Sequence, residues 1–172
     1  FGATQAPGDD FDTFASVNAH SLASDVYQGL VDADTDIALN GGITNGYVIS
    51  PQGKGILLGA TDENGRPLFI NNVAEGAVPM ILGSRVQLSK GAYVAGSPST
   101  VGFAGDWTKA LYGIVEGVDI TFSSDASLTL ANGTTINLFQ RNMFAVRAEI
   151  EVGFVADTSV FTKITASSVP SF

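Results

Sequence analysis

An α+β fold is predicted by three observations. Phe144, Val146, Ala148, Ile150, Val152 and Phe154 alternate with Arg147, Glu149 and Glu151, the period of a strand with one dry face. Phe14, Val17, Leu22, Val26, Leu30 and Val31 recur instead at helical spacing. Between these two segments lie short runs rich in β-branched and aromatic residues, separated by Gly, Pro, Asn and Asp.

Along the chain, Pro7-Gly8-Asp9-Asp10 reads as a turn with capping potential, and the helical spacing predicts a helix from about Asp12 to Ala33. Asp32, Asp34 and Asp36 would fray its carbonyl-rich end before an Asn40-Gly41-Gly42 loop. Tyr47 to Ser50 is a short strand stopped by Pro51, followed by a brief helical turn around Ile56 to Leu58 and a turn at Asp62-Glu63-Asn64-Gly65. Met80 to Leu88, Val101 to Ala104, Ala110 to Val115 and Val118 to Phe122 read as strands. Asn132-Gly133 suits a type I′ hairpin between Ser127–Ala131 and Thr134–Leu138. The long strand follows, and a short helix over Thr158 to Lys163 precedes a Ser-rich tail.

The long strand is out of proportion to the chain. From Met143 to Ala156 it would extend roughly 45 Å, whereas a compact chain of this length is only about 40 Å across. It is expected to project from the body or span it, as in a protein that lies against its neighbours.

The 172 residues, 45% hydrophobic and 15% charged, suffice for one sizeable core. A net charge of -9 with only eight Lys and Arg argues against a specific nucleic-acid site, because phosphate binding needs clustered cations. No cysteine is present, so there is no disulfide framework or thiolate ligand. The longest apolar stretches, such as Ala77 to Leu82, fall far short of the ~18 residues of a membrane span. The amino terminus lacks an initiator Met and the features of a secretory signal, which reads as a piece of a longer polypeptide.

Candidate chemistry is sparse. His20, the single histidine, has no Gly-x-Ser-x-Gly elbow to serve, so packing or surface exposure explains it better than a hydrolase triad. Asp32, Asp34 and Asp36 imitate the start of a calcium loop, but Ile37 and Ile43 stand where Gly and a bidentate Glu are required. The glycines from Gly53 to Gly59 match no phosphate-binding spacing and read as a flexible loop. Asn132-Gly133-Thr134 is a formal glycosylation sequon better explained by its turn, and Trp107 reads as core, with a ligand-binding module as the rival. No catalytic, metal or cofactor residue is assigned. The inter-subunit contact candidates are Arg141, Asn142, Arg147, Glu149 and Glu151, whose alternating sign fits either a solvated face or a charge-complementary contact with another copy.

Several segments together resemble the major capsid proteins of tailed bacteriophages, the Hong Kong ninety-seven fold. They are Asn45 to Pro51, Asp62 to Phe69, Gly105-Asp106-Trp107, Val115-Glu116-Gly117-Val118, and Phe139 to Met143 leading into Arg147-Ala148-Glu149. Their order covers roughly Asp10 to Thr165. The resemblance implies an axial domain over 10–135, a mixed sheet with flanking helices, and a peripheral-domain strand with a terminal helix over 136–172. The family's amino-terminal arm, extended loop and spine helix would lie upstream of this stretch, which thus resembles the carboxy-terminal half of a subunit.

By the same resemblance the chain is a structural, non-enzymatic subunit tiling an icosahedral shell around DNA, in the virion after assembly in the bacterial cytoplasm. The implied partners are further copies in pentamers and hexamers, with scaffolding and portal proteins as additional candidates and no membrane. Acidity on an inner face would keep DNA from adhering. The alternative on the same fold is an encapsulin-type nanocompartment shell. Some members weld subunits by an isopeptide bond; here Asn142 would be the acceptor and Glu149 the buried proton shuttle, against the plainer reading that both serve packing and hydrogen bonding.

Overall fold

The computed structural model describes residues 13–62, 64–69 and 80–167. The expected Pro7–Asp10 turn, part of the Ala77–Leu82 stretch and the Ser-rich tail lie outside them. The chain divides into two units: Phe1–Leu111 with Val155–Phe172, and Tyr112–Phe154.

The first unit is built on a six-stranded mixed sheet in the order β1-β10-β5-β2-β4-β3. Its strands are β1 (Asn18–Ser21), β2 (Gly46–Ile49), β3 (Met80–Ile81), β4 (Ser84–Leu88), β5 (Ser99–Gly105) and β10 (Phe161–Ala166). β1 runs parallel to β10 and β2 parallel to β4, while β5 is antiparallel to both of its neighbours. Register places Thr162, Ala104 and Tyr47 on one face, with Ile164, Gly102 and Ile49 beside them. Lys163, Phe103 and Val48 fall on the other. On that second face Phe14 stacks on Phe161 at 4.5 Å between centroids, and Trp107 meets both rings edge-on.

Two helices cover the first unit. Helix α1 (Val26–Leu39) begins where the Asp25 carboxylate accepts the Gln28 N–H at 3.0 Å, and its inward residues Leu30, Ala33 and Ile37 are fully buried. It packs across β1, β10 and β5. It stops in a Schellman motif: Gly41, at φ +79°, donates to the Ala38 carbonyl and Gly42 donates to that of Ile37. Helix α2 (Pro51–Gly59) starts at the Ser50 cap, whose hydroxyl accepts the Gly53 N–H at 3.1 Å, with Pro51 in the first turn.

Several expectations are corrected here. The helix predicted over Asp12–Ala33 starts only at Val26: residues 18–21 pair with β10, and Leu22 N–H donates to the Thr165 carbonyl at 2.9 Å. Tertiary pairing overrides a periodicity that reflected burial of Phe14, Val17 and Leu22 without a helix. Asp32, Asp34 and Asp36 therefore lie inside α1, not at a frayed end. The glycines expected to form a flexible loop lie in α2, and Gly53 permits its close approach, since a Cβ there would sit 2.7 Å from the Val101 carbonyl oxygen.

The helix expected over Thr158–Lys163 is a single 3₁₀ turn, Thr158–Val160, followed by β10, an inner strand of the sheet between β1 and β5. Alternating β-branched residues, Val160, Thr162 and Ile164, favour that outcome.

Met80 to Leu88 is a hairpin and not one strand. β3 and β4 are joined at Leu82-Gly83, whose φ values of +46° and +82° are those a type I′ turn requires. The type I′ turn expected at Asn132-Gly133 is instead a longer connection between β7 (Ser127–Thr129) and β8 (Thr135–Asn137). There only Gly133 has positive φ, and the Leu130 carbonyl accepts its N–H at 2.8 Å. At the Asp62 turn, the carboxylate accepts the Asn64 and Arg66 N–H groups as expected.

In the second unit, the two strands expected at Ala110–Val115 and Val118–Phe122 are one, β6 (Ala110–Ser123), which pairs with β9 (Ala145–Ala156) in a two-stranded sheet. β10 completes the first unit's sheet, and the second unit is the stretch holding most of β6 and β9 with the β7–β8 hairpin.

Candidate interaction surface

β9 has 12 residues and β6 has 14, both beyond the usual range of about 3–10. Alternation along β9 matches the sequence expectation, yet the face expected to be dry is open. Phe154 is buried, whereas Phe144, Val146, Ile150 and Val152 are each about half exposed or more. The physical reason is the strand count. A two-stranded ribbon has no second layer of its own, so its apolar side chains stay in solvent.

β6 adds Leu111, Tyr112, Ile114, Val115, Val118, Ile120 and Phe122, all exposed. The rings of Tyr112, Phe122 and Phe144, at 80%, 70% and 70% exposure, by themselves present on the order of 400 Å². Between Tyr112 and Phe122 the exposed Ile114, Val118 and Ile120 carry the apolar surface along the same strand, and an exposed apolar surface of that extent marks an interaction site.

The polar candidates divide into two places. Arg147, Glu149 and Glu151 stand on the other face of β9, exposed, with the Arg147 guanidinium donating to Glu149. Glu149 and Glu151 line one concavity with Glu116 and Asp119 of β6. These two acids were not singled out from the sequence, because only the pairing of β6 with β9 brings them in. Arg141 and Asn142 lie in the 3₁₀ turn before β9, where Asn142 adopts a left-handed conformation (φ +52°) and closes the turn with an N–H bond to the Phe139 carbonyl. In the single chain the Glu149 side chain is exposed.

The other candidates have structural roles. Imidazole Nε2 of His20 lies 3.0 Å from the Asp36 carboxylate, which also accepts from the Asn18 amide at 2.9 Å. The His20 bond is the main cause holding the Asp36 carboxyl below its usual range. Asp32 accepts from Gln28, so the aspartates of α1 do not converge, and no group of three metal-ligating side chains occurs among the described residues. Trp107 is committed to packing: its indole donates to the Gly46 carbonyl at 2.9 Å. Beside it the Asp106 carboxylate accepts from Thr108, Asn45 and the Ile43 N–H, and the Thr108 hydroxyl is the main cause of its lowered pKa. No described helix is long and apolar enough to cross a membrane.

The two long strands of the ribbon expose apolar residues, the pattern of an interaction surface. Comparison with known proteins identifies the family. The chain belongs to the Phage capsid family, whose sequence pattern it matches over residues 8–165. It is 36% identical over 118 residues to a probable major capsid protein of Mycobacterium phage D29, covering 64% of this chain and 36% of that protein. The corresponding protein of Mycobacterium phage L5 is also 36% identical, over 117 residues, with the same coverage. Among solved structures, a chain from Gordonia phage Cozz superposes with a TM-score of 0.76 at 20% identity, over 97% of this chain and 55% of that one. A chain from the capsid of an empty GTA particle superposes at 0.57 and 16% identity, over 95% and 54%. The chain thus spans about a third of the length of the curated relatives it matches and about half that of the structural ones.

Proposed function

We propose that this chain is the shell-forming part of a phage or prophage major capsid subunit, with a structural and non-enzymatic role. The observation that carries this reading is the exposed β6–β9 ribbon, whose apolar residues are satisfied only when another polypeptide covers them. On this reading the six-stranded unit is the axial domain around the pentamer and hexamer centres, and Tyr112–Phe154 is the peripheral one. Arg141, Asn142, Arg147, Glu149 and Glu151, joined by Glu116 and Asp119, set register between copies through charge. Relatives that are phage capsids favour a DNA-filled phage head over an encapsulin-type compartment. Scaffolding and portal partners, and assembly in the bacterial cytoplasm before the virion forms, belong to the same proposal.

Ile150→Glu tests it, because the side chain is 55% exposed and its loss costs the free chain little. Expression of the gene encoding this chain is expected to yield particles by electron microscopy, and Ile150→Glu to abolish them while circular dichroism stays unchanged. Particles at undiminished yield from the variant would overturn the assignment of the ribbon as a contact surface.

A further inference from the structure

Charge is segregated along the sequence in a way that the sheet converts into geometry. Before Lys54 there is no Lys or Arg, and between Met80 and Gly105 there is no Asp or Glu. α1, formed from the first stretch, carries no cation and packs across β1, β10 and β5; Asp32 is exposed on it, and its Asp36 bonds Asn18 and His20 of β1 at that end of the sheet. β3 and β4, formed from the second, make the opposite edge and carry exposed Arg85, with Lys90 in the turn that follows. Five inter-strand spacings separate β1 from β3, about 24 Å. One margin of the unit is therefore acidic and the far margin basic.

Each margin also exposes apolar surface. Leu39 and Ile43, at 82% and 77% exposure, flank the end of α1, and Met80, Leu82 and Leu88 are exposed on β3, β4 and their turn. Leu82 holds the left-handed conformation of its turn, which costs a side-chain-bearing residue about 1–2 kcal/mol relative to the right-handed one. The turn thus holds a leucine in solvent in the middle of the basic margin, apolar surface that a partner would cover. Among the described residues neither Arg85 nor Lys90 has an ion-pair partner, so both remain available to a neighbour.

We propose that the acidic α1 margin of one copy docks on the basic β3–β4 margin of the next, a head-to-tail contact between second copies of this chain. Opposite charges on opposite margins make a heterologous interface, which generates rings when the rotation closes. An isologous contact would instead set like charge against like. This rests on the shell reading above and specifies which surfaces of the six-stranded unit meet.

The test uses two double variants. Arg85→Glu with Lys90→Glu makes both margins acidic. Gln28→Lys with Asp32→Lys places two cations on the α1 margin, where they repel the basic one, and leaves the Asp25 helix cap untouched. All four positions are exposed. By sedimentation velocity at low salt the wild-type chain is expected to self-associate, each double variant alone to associate tenfold or more weakly, and their equimolar mixture to recover association. Carbodiimide treatment of mixed isotope-labelled chains is expected to join Lys90 of one copy to Asp32 of another. If the wild type associates and either variant alone does so equally well, the contact lies elsewhere and the charge inference fails while the shell reading stands. If wild type and mixture both stay monomeric, the contact is overturned, and the shell reading is then judged separately by the particles formed from the encoding gene.

Discussion

Tyr47→Phe should make the protein more stable, the reverse of the usual effect of a core substitution. Tyr47 lies in β2 at 1% exposure, and its hydroxyl finds no hydrogen-bond partner among the described residues. Burial pushes its phenol pKa far up, and the negative charge of Asp34 on α1 adds to the shift. An unsatisfied buried hydroxyl costs about 1–3 kcal/mol. Removing one oxygen forfeits only a few dispersion contacts of about 0.1–0.2 kcal/mol each. The balance is a gain of about 1 kcal/mol, or about 2–4 °C in melting temperature for a chain of this size. Thermal and urea unfolding followed by circular dichroism measure it, with Tyr27→Phe, half exposed on α1, as the neutral control. A loss of 1 kcal/mol or more in Tyr47→Phe would refute the reasoning, because it would mean that the hydroxyl makes a bond in the folded state.

Two glycines of α2 should respond oppositely to alanine. Gly53→Ala drives a Cβ into the Val101 carbonyl and should cost about 1–3 kcal/mol, whereas Gly55→Ala meets no atom within 4 Å and should gain about 0.5–1 kcal/mol in urea unfolding. Asp106 supplies a pH dependence. Its folded pKa is lowered, so the stability it contributes is present above the unfolded carboxylate value of about 4 and is lost as the pH falls through the folded value. Asp106→Asn should therefore be destabilised at pH 7, with the gap to wild type closing below about pH 4 in unfolding curves recorded across that range. Equal gaps at both pH values would assign the effect to packing alone.

What the sequence makes legible is pattern along the chain, and what it hides is pairing across it. The alternation in β9 is visible because every second residue is apolar, but nothing in it tells that only β6 would lie alongside, leaving that face uncovered. Phe14, Val17 and Leu22 signal burial at helical spacing, while the parallel pairing of β1 with β10, more than 140 residues away, decides the backbone. Asn132-Gly133 has ideal type I′ chemistry and does not use it; Leu82-Gly83 has poor chemistry and does, because the β3–β4 register leaves two residues for the turn. The polar candidates on β9 were legible by their alternation, but Glu116 and Asp119 join them only through the ribbon. Family resemblance carried the functional expectation, since no cluster of reactive side chains did.

Electron cryomicroscopy of the particles made when the gene encoding this chain is expressed tests the capsid account most directly. The account predicts closed icosahedral shells in which the six-stranded unit surrounds the fivefold and sixfold positions and neighbouring protein covers the β6–β9 ribbon. Shells in which the ribbon faces open solvent, or a gene product that remains monomeric even with its cognate phage proteins supplied, would contradict it.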